Sequence, residues 1–107
     1  GHLIDSAANN HHRFIKIQFL PAPFFVEGYA QNDWVRIQNY NEKDSQRLVN
    51  LWKVYNEHIL FIIQNTPEKN LQIKIKAEDP FENADTLFFL MKDYVDHMDH
   101  HLKQIFG

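Results

Sequence analysis

Two histidines, His97 and His101, stand four residues apart in the run Asp93-Tyr94-Val95-Asp96-His97-Met98-Asp99-His100-His101. On a helix that spacing puts both side chains on one face, with Cβ atoms about 5–6 Å apart. Two imidazoles so placed can share one divalent ion. The same spacing also arises on solvated faces, and spacing alone leaves both readings open. The surrounding pattern favours the first, because Leu90, Tyr94, His97 and His101 follow one another at helical spacing on the apolar side. Neutral imidazoles there need partners. His100, about 100° around the helix, groups with Asp96 and Lys103 as a surface residue.

His2 is the natural third ligand, since the opening helix must present its own apolar side to the same core. His11 and His12 lie more than two turns further along, out of reach of an ion near His2. His12 is expected in solvent and His11 in packing. His58, in Tyr55-Asn56-Glu57-His58, competes for a fourth ligand position; its alternative is a histidine satisfied at the core rim. Asp5, Asn9 and Arg13 form a polar line below His2 at spacing four, either lining a pocket or facing solvent. Three histidine ligands leave coordination positions for water or substrate, as a catalytic metal requires. With no cysteine in the chain, any metal is held by nitrogen and oxygen. Three glycines provide no phosphate loop, and no serine sits in a nucleophile-elbow context.

These side chains must be positioned by helices. Over residues 2–19, Leu3, Ile4, Ala7, Ala8, His11, Phe14, Ile15 and Phe19 recur at spacings of three and four, which predicts a first helix ended by Pro21 and Pro23. Residues 20–42 read mostly as a loop, too aromatic for a free linker. Within it, 33–39 is expected to form a short helix laying Trp34 and Ile37 onto the bundle. Asn41 is a plausible cap for a helix over about 43–64, whose stripe runs Leu48, Leu51, Trp52, Tyr55, Ile59, Ile62 and Ile63. Thr66-Pro67-Glu68 looks like a cap with proline at the first helical position. Residues 71–76 then alternate with period two, as an extended crossover or an edge hairpin with part of the 20–30 loop, closed by Pro80. Asp85 or Asn83 caps a last helix over about 84–105, with Leu87, Leu90, Met91, Tyr94, Val95, Met98, Leu102 and Ile105 inward and Lys92, Asp96, Asp99 and Lys103 outward.

The chain has 107 residues, 44% hydrophobic and 14% aromatic, which is the size of one domain (residues 1–107) with one core. A net charge of -3 without a basic stripe makes nucleic acid an unlikely partner. The longest apolar stretch, residues 59–63, is far short of the roughly 20 that span a bilayer, and no charged-then-apolar leader opens the chain. No membrane association and a cytoplasmic location are the default expectations.

The residues also resemble a known family. The opening Gly1-His2-Leu3-Ile4-Asp5-Ser6-Ala7-Ala8-Asn9-Asn10-His11-His12-Arg13-Phe14, then Asn39-Tyr40, then Leu51-Trp52-Tyr55-Asn56-His58, and the closing run from Asp93 to Ile105 are similar to the DinB-like superfamily, which includes the YfiT-type metal-dependent hydrolases. The resemblance implies an all-α fold, a DinB-like antiparallel helical bundle. Three long helices are expected here, with the first helix of the four missing upstream or supplied by a partner chain. It also implies His2, His97 and His101 as ligands of nickel or zinc, with iron or manganese as further candidates. A homodimer and an unidentified small-molecule substrate complete the expectation. Some members look like thiol S-transferases and others are called hydrolases. Asp5, Asn9, Arg13 and His58 would then line the pocket and orient water or substrate. The rival expectation is a non-catalytic helical module, metal-bound or metal-free, with a binding or stress-associated role.

Overall fold

A computed structural model describes residues 2–77 and 85–106, and the protein is mostly helical, an all-α class with little strand. Two compact units form: Gly1–Ile15 with Gly28–Asn65, and Lys16–Glu27 with Thr66–Gly107. Among the described residues no helix is long and apolar enough to cross a membrane.

In the first unit, α1 (His2–Lys16) buries Ile4, Ala7 and Phe14 at the spacing its sequence sets. It stops three residues short of the expected end, where the Lys16 carbonyl accepts from the amides of both Phe19 and Leu20. The helix α2 (Gln31–Gln38) forms where a short helix is expected, but none of its residues is buried. Ile37 is 67% exposed and Trp34 instead meets Tyr29 edge to face, 5.7 Å between ring centroids. The helix ends at Asn39 in the left-handed region (φ 52, ψ 48). A 3-10 turn over Tyr40–Glu42 occupies the place assigned to the next helix's cap. Asp44, not Asn41, caps α3 (Ser45–Gln64), accepting from the Gln46 amide at 3.1 Å. On α3, Trp52 and Ile59 are buried as the stripe predicts, whereas Leu51 is exposed. Asn56 is buried among them and donates to the Trp52 carbonyl at 2.7 Å. Each fully buried large side chain, such as Phe14 or Ile59, contributes about 1.5–3 kcal/mol.

In the second unit, β1 (Phe24–Val26) pairs with β2 (Ile75–Ala77) in register Phe24 to Ile75 and Val26 to Ala77. The 20–30 segment is thus the partner, but the pairing is parallel and no hairpin forms. Strands this far apart in the chain have no tight turn to impose the antiparallel sense. Between them α4 (Glu68–Leu71) takes Leu71 out of the alternating run, with Pro67 at its cap position and not in its first turn. The last helix, α5 (Leu87–Phe106), is opened by Thr86, whose Oγ1 accepts from the Phe89 amide at 3.3 Å. Asp85 is committed elsewhere: its carbonyl accepts from the Ile75 amide and its carboxylate takes Lys74 Nζ at 2.9 Å. Asn83 and Pro80 lie outside the described residues. Leu87, Leu90, Met91, Tyr94 and Met98 form the buried side of α5. Lys92 with Asp96 and Asp99 with Lys103 make exposed pairs one turn apart, as the outward pattern predicts; such pairs contribute only about 0.3–0.5 kcal/mol each.

Candidate functional site

On α5 the two spaced histidines differ. His97 is exposed, with 73% of its side-chain surface in solvent, and His101 is half-buried with its ring 5.9 Å from that of His100. The expectation of His97 on the buried stripe is therefore corrected. The buried positions Leu90, Met91, Tyr94 and Met98 centre the inward face elsewhere on the helix and leave His97 at its flank. One turn before it, Asp93 places Oδ2 3.7 Å from His97 Nδ1. That is too long for a hydrogen bond. His100 is exposed as expected, its Nε2 3.2 Å from Gln104 Nε2.

His2 opens α1 and is exposed. It belongs to the first unit, whereas His97 and His101 belong to the second. Among the described residues no group of three or more His, Asp or Glu side chains is gathered to hold an ion. The donor chemistry of His97 and His101, two imidazoles one helical turn apart with a carboxylate at Nδ1 of one of them, fits a nitrogen-bound divalent metal.

The polar line on α1 resolves into three different environments. Asp5 is 1% exposed, so the solvated-face alternative fails for it. Its Oδ1 accepts from the Tyr40 hydroxyl and from Gln38 Nε2 at 2.8 Å, while its buried Oδ2 has no hydrogen-bond partner among the described residues. Asn9 Nδ2 donates to the Asp5 carbonyl at 2.8 Å and is thus engaged with its own helix. Arg13 is half-buried, and burial lowers the pKa of its guanidinium, with Tyr29 opposing. Burial, then the Asp5 charge, raise Tyr29 above the ordinary phenol value, with Arg13 opposing. Tyr40 is pushed well above that value, first by burial and then by its hydrogen bond to Asp5.

A second cluster joins α1 to α3. His11 Nδ1 lies 2.8 Å from the Tyr55 hydroxyl, and the His11 ring stands edge to face with those of Tyr55 and His58, both at 5.4 Å. His12 is exposed, its ring 6.1 Å from that of His11. Burial, then the nearby His58 and His12, lower the His11 pKa below the ordinary imidazole value. His11 is thus in packing and His12 in solvent, as the sequence predicts, while His58 keeps company with His11.

Sequence reasoning missed Gln38, Tyr40 and Tyr29 as partners of the α1 polar line. The available signal was the density of tyrosine and amide side chains over 29–40, which a solvated loop has no need of. Compared with family models, with curated proteins and with solved structures, the chain matches none.

Proposed function

We propose that the protein is a metal-dependent enzyme of the DinB type, a hydrolase or a thiol S-transferase, with His2, His97 and His101 as the ligands of a divalent transition metal. The observation that carries this is the His97–His101 pair with Asp93 beside Nδ1 of His97. The resemblance of the His2-Leu3-Ile4-Asp5 segment and the closing His-x-x-x-His helix to the DinB-like superfamily supports the rest of the ligand set. Nickel or zinc suits such imidazole donors, with iron and manganese less favoured. Bound there, the ion would supply a water with a pKa of about 7 or hold a substrate thiolate. Asp5 would keep α1 and the 31–42 segment together one turn from His2, and would not itself act as a base, because Oδ1 is taken and Oδ2 is buried. Arg13, half-buried beside Tyr29, would receive an anionic substrate group, and Asn9 would hold the helix between them. His58, placed against His11, would stand apart from the ligand set. A homodimer in the cytoplasm remains part of this proposal.

The exposure of the His97 side chain, 73% in solvent, favours a second reading, a non-catalytic helical binding or stress-associated module, metal-bound or metal-free. Metal content after reconstitution with zinc or nickel tests the ligand set, and a coordination position open to water or substrate separates the two readings. Loss of one ion per chain in His97→Ala and in His2→Ala supports the three-histidine site; metal content that does not change in His97→Ala removes it.

A further inference from the structure

The cluster between α1 and α3 is not used by the proposed site, and it has the makings of a site of its own. His11 and His58 come from different helices of the same unit, and their ring centroids are 5.4 Å apart. A zinc–imidazole nitrogen bond is about 2.0–2.1 Å, which puts each ring centre about 3.2 Å from the ion and two rings at a tetrahedral angle about 5.2 Å apart. The observed separation matches that of two imidazoles sharing one ion, and it is also that of an edge-to-face ring contact such as His11 makes with Tyr55. Nδ1 of His11 is engaged by the Tyr55 hydroxyl, which leaves Nε2 as its donor atom. A ligating histidine ordinarily has its other ring nitrogen held in this way. His58 has no hydrogen-bond partner among the described residues, so both its nitrogens are open to an ion. His58 is exposed, which provides an entry path. His12 is excluded as a third ligand, because neighbours on a helix diverge by about 100° and its ring is 6.1 Å from that of His11.

We infer that His11 and His58 form a second metal site, a two-histidine chelate for a borderline divalent ion such as zinc, with Tyr55 orienting His11 and the remaining coordination positions open to solvent or an exogenous ligand. Neutral imidazole is the binding form. The site is independent of His2, His97 and His101, and its existence does not rest on the enzyme reading.

The test is zinc calorimetry on the full chain carrying His97→Gln and His101→Gln, so that the proposed catalytic site cannot contribute. One zinc per chain is expected, with affinity falling about tenfold or more on adding either His58→Gln or His11→Gln, and falling less on adding Tyr55→Phe. His58 is exposed, so its variant should remain folded, which circular dichroism checks. In parallel, zinc should shift the side-chain nitrogen resonances of His11 and His58 in the unsubstituted chain and leave those of His12 in place. Zinc affinity unaffected by His58→Gln, no zinc uptake at all in the doubly substituted background, or unmoved ring resonances would each overturn the two-histidine site. Replacing His97 in the unsubstituted chain should leave one zinc per chain in place, and loss of all zinc would overturn the second site.

Discussion

The Tyr40 hydroxyl donates a hydrogen bond to Oδ1 of Asp5, a carboxylate with 1% of its surface exposed, and so ties the turn after α2 to the first helical turn of α1. Gln38 adds a second bond to the same oxygen and also reaches the Tyr40 hydroxyl at 2.8 Å. Because no residue of α2 is buried, these polar links hold the 31–42 segment where apolar packing does not.

Removing either partner of this link should therefore loosen that segment. Tyr40→Phe is expected to cost about 1.5–3 kcal/mol, the range for a hydrogen bond to a charged group. Asp5→Ala is expected to cost at least as much, since it strands both Tyr40 and Gln38. Urea unfolding measures both, and hydrogen exchange should show faster opening over 31–42 in each variant. A stability within 0.5 kcal/mol of wild type for Tyr40→Phe, a margin of about the size seen at neutral surface sites, would mean the link is idle.

His11 makes stability depend on pH with a definite sign. Its pKa is lowered on folding from the ordinary 6.5, so the unfolded chain takes up its proton first as pH falls. Its neutral form is accommodated at full stability above pH 6.5, and stability declines as pH falls from there through the lowered folded value. The urea midpoint of wild type should fall between pH 7.5 and pH 5.5 by more than that of His11→Gln. Equal slopes in the two proteins would show that His11 does not titrate in this way.

The buried positions of the helices should respond as core, and their exposed neighbours should not. Ile59→Ala on α3 is expected to cost about 2–5 kcal/mol and Phe14→Ala on α1 about 3–5 kcal/mol, whereas Phe61→Ala, at a position 61% exposed, should stay within about 0.5 kcal/mol. Thermal or urea denaturation of the three variants decides this.

Metal should stabilise whatever binds it. At a free zinc concentration a hundred times the dissociation constant the gain is about 2.7 kcal/mol, and a chelator should reverse it. If His2, His97 and His101 form the principal site, His97→Ala abolishes most of that gain, while His58→Gln removes only the contribution of the second site. The melting temperatures of the two variants with and without zinc separate these contributions.

Much of the secondary structure was legible in the residues. The 3.6-residue period in 2–19, 43–64 and 84–105 marked the three long helices because their buried stripes, such as Ile4, Ala7 and Phe14 or Leu87, Leu90, Met91 and Tyr94, depend on local spacing alone. Helix ends were less legible. Asp44 and Thr86 do the capping, where Asn41 and Asp85 are chemically as able, because only backbone geometry decides which oxygen meets an orphan amide. The crowding of histidines was plain from the chain, but which ones meet was not. Spacing along one helix can pair His97 with His101, yet it is blind to His11 and His58, 47 positions apart, whose approach depends on how α1 and α3 cross within one unit. Likewise the type and position of Asp5 were evident, but a carboxylate at a helix start is ordinarily solvated, and nothing in its own segment marks this one as buried. Only the return of the chain through Gln38 and Tyr40 supplied the donors that make its burial tolerable. What the sequence by itself determined are the elements whose pattern is local; what the tertiary structure decided are the side-chain meetings between elements, since those are set by packing and hydrogen-bond geometry that no single segment contains.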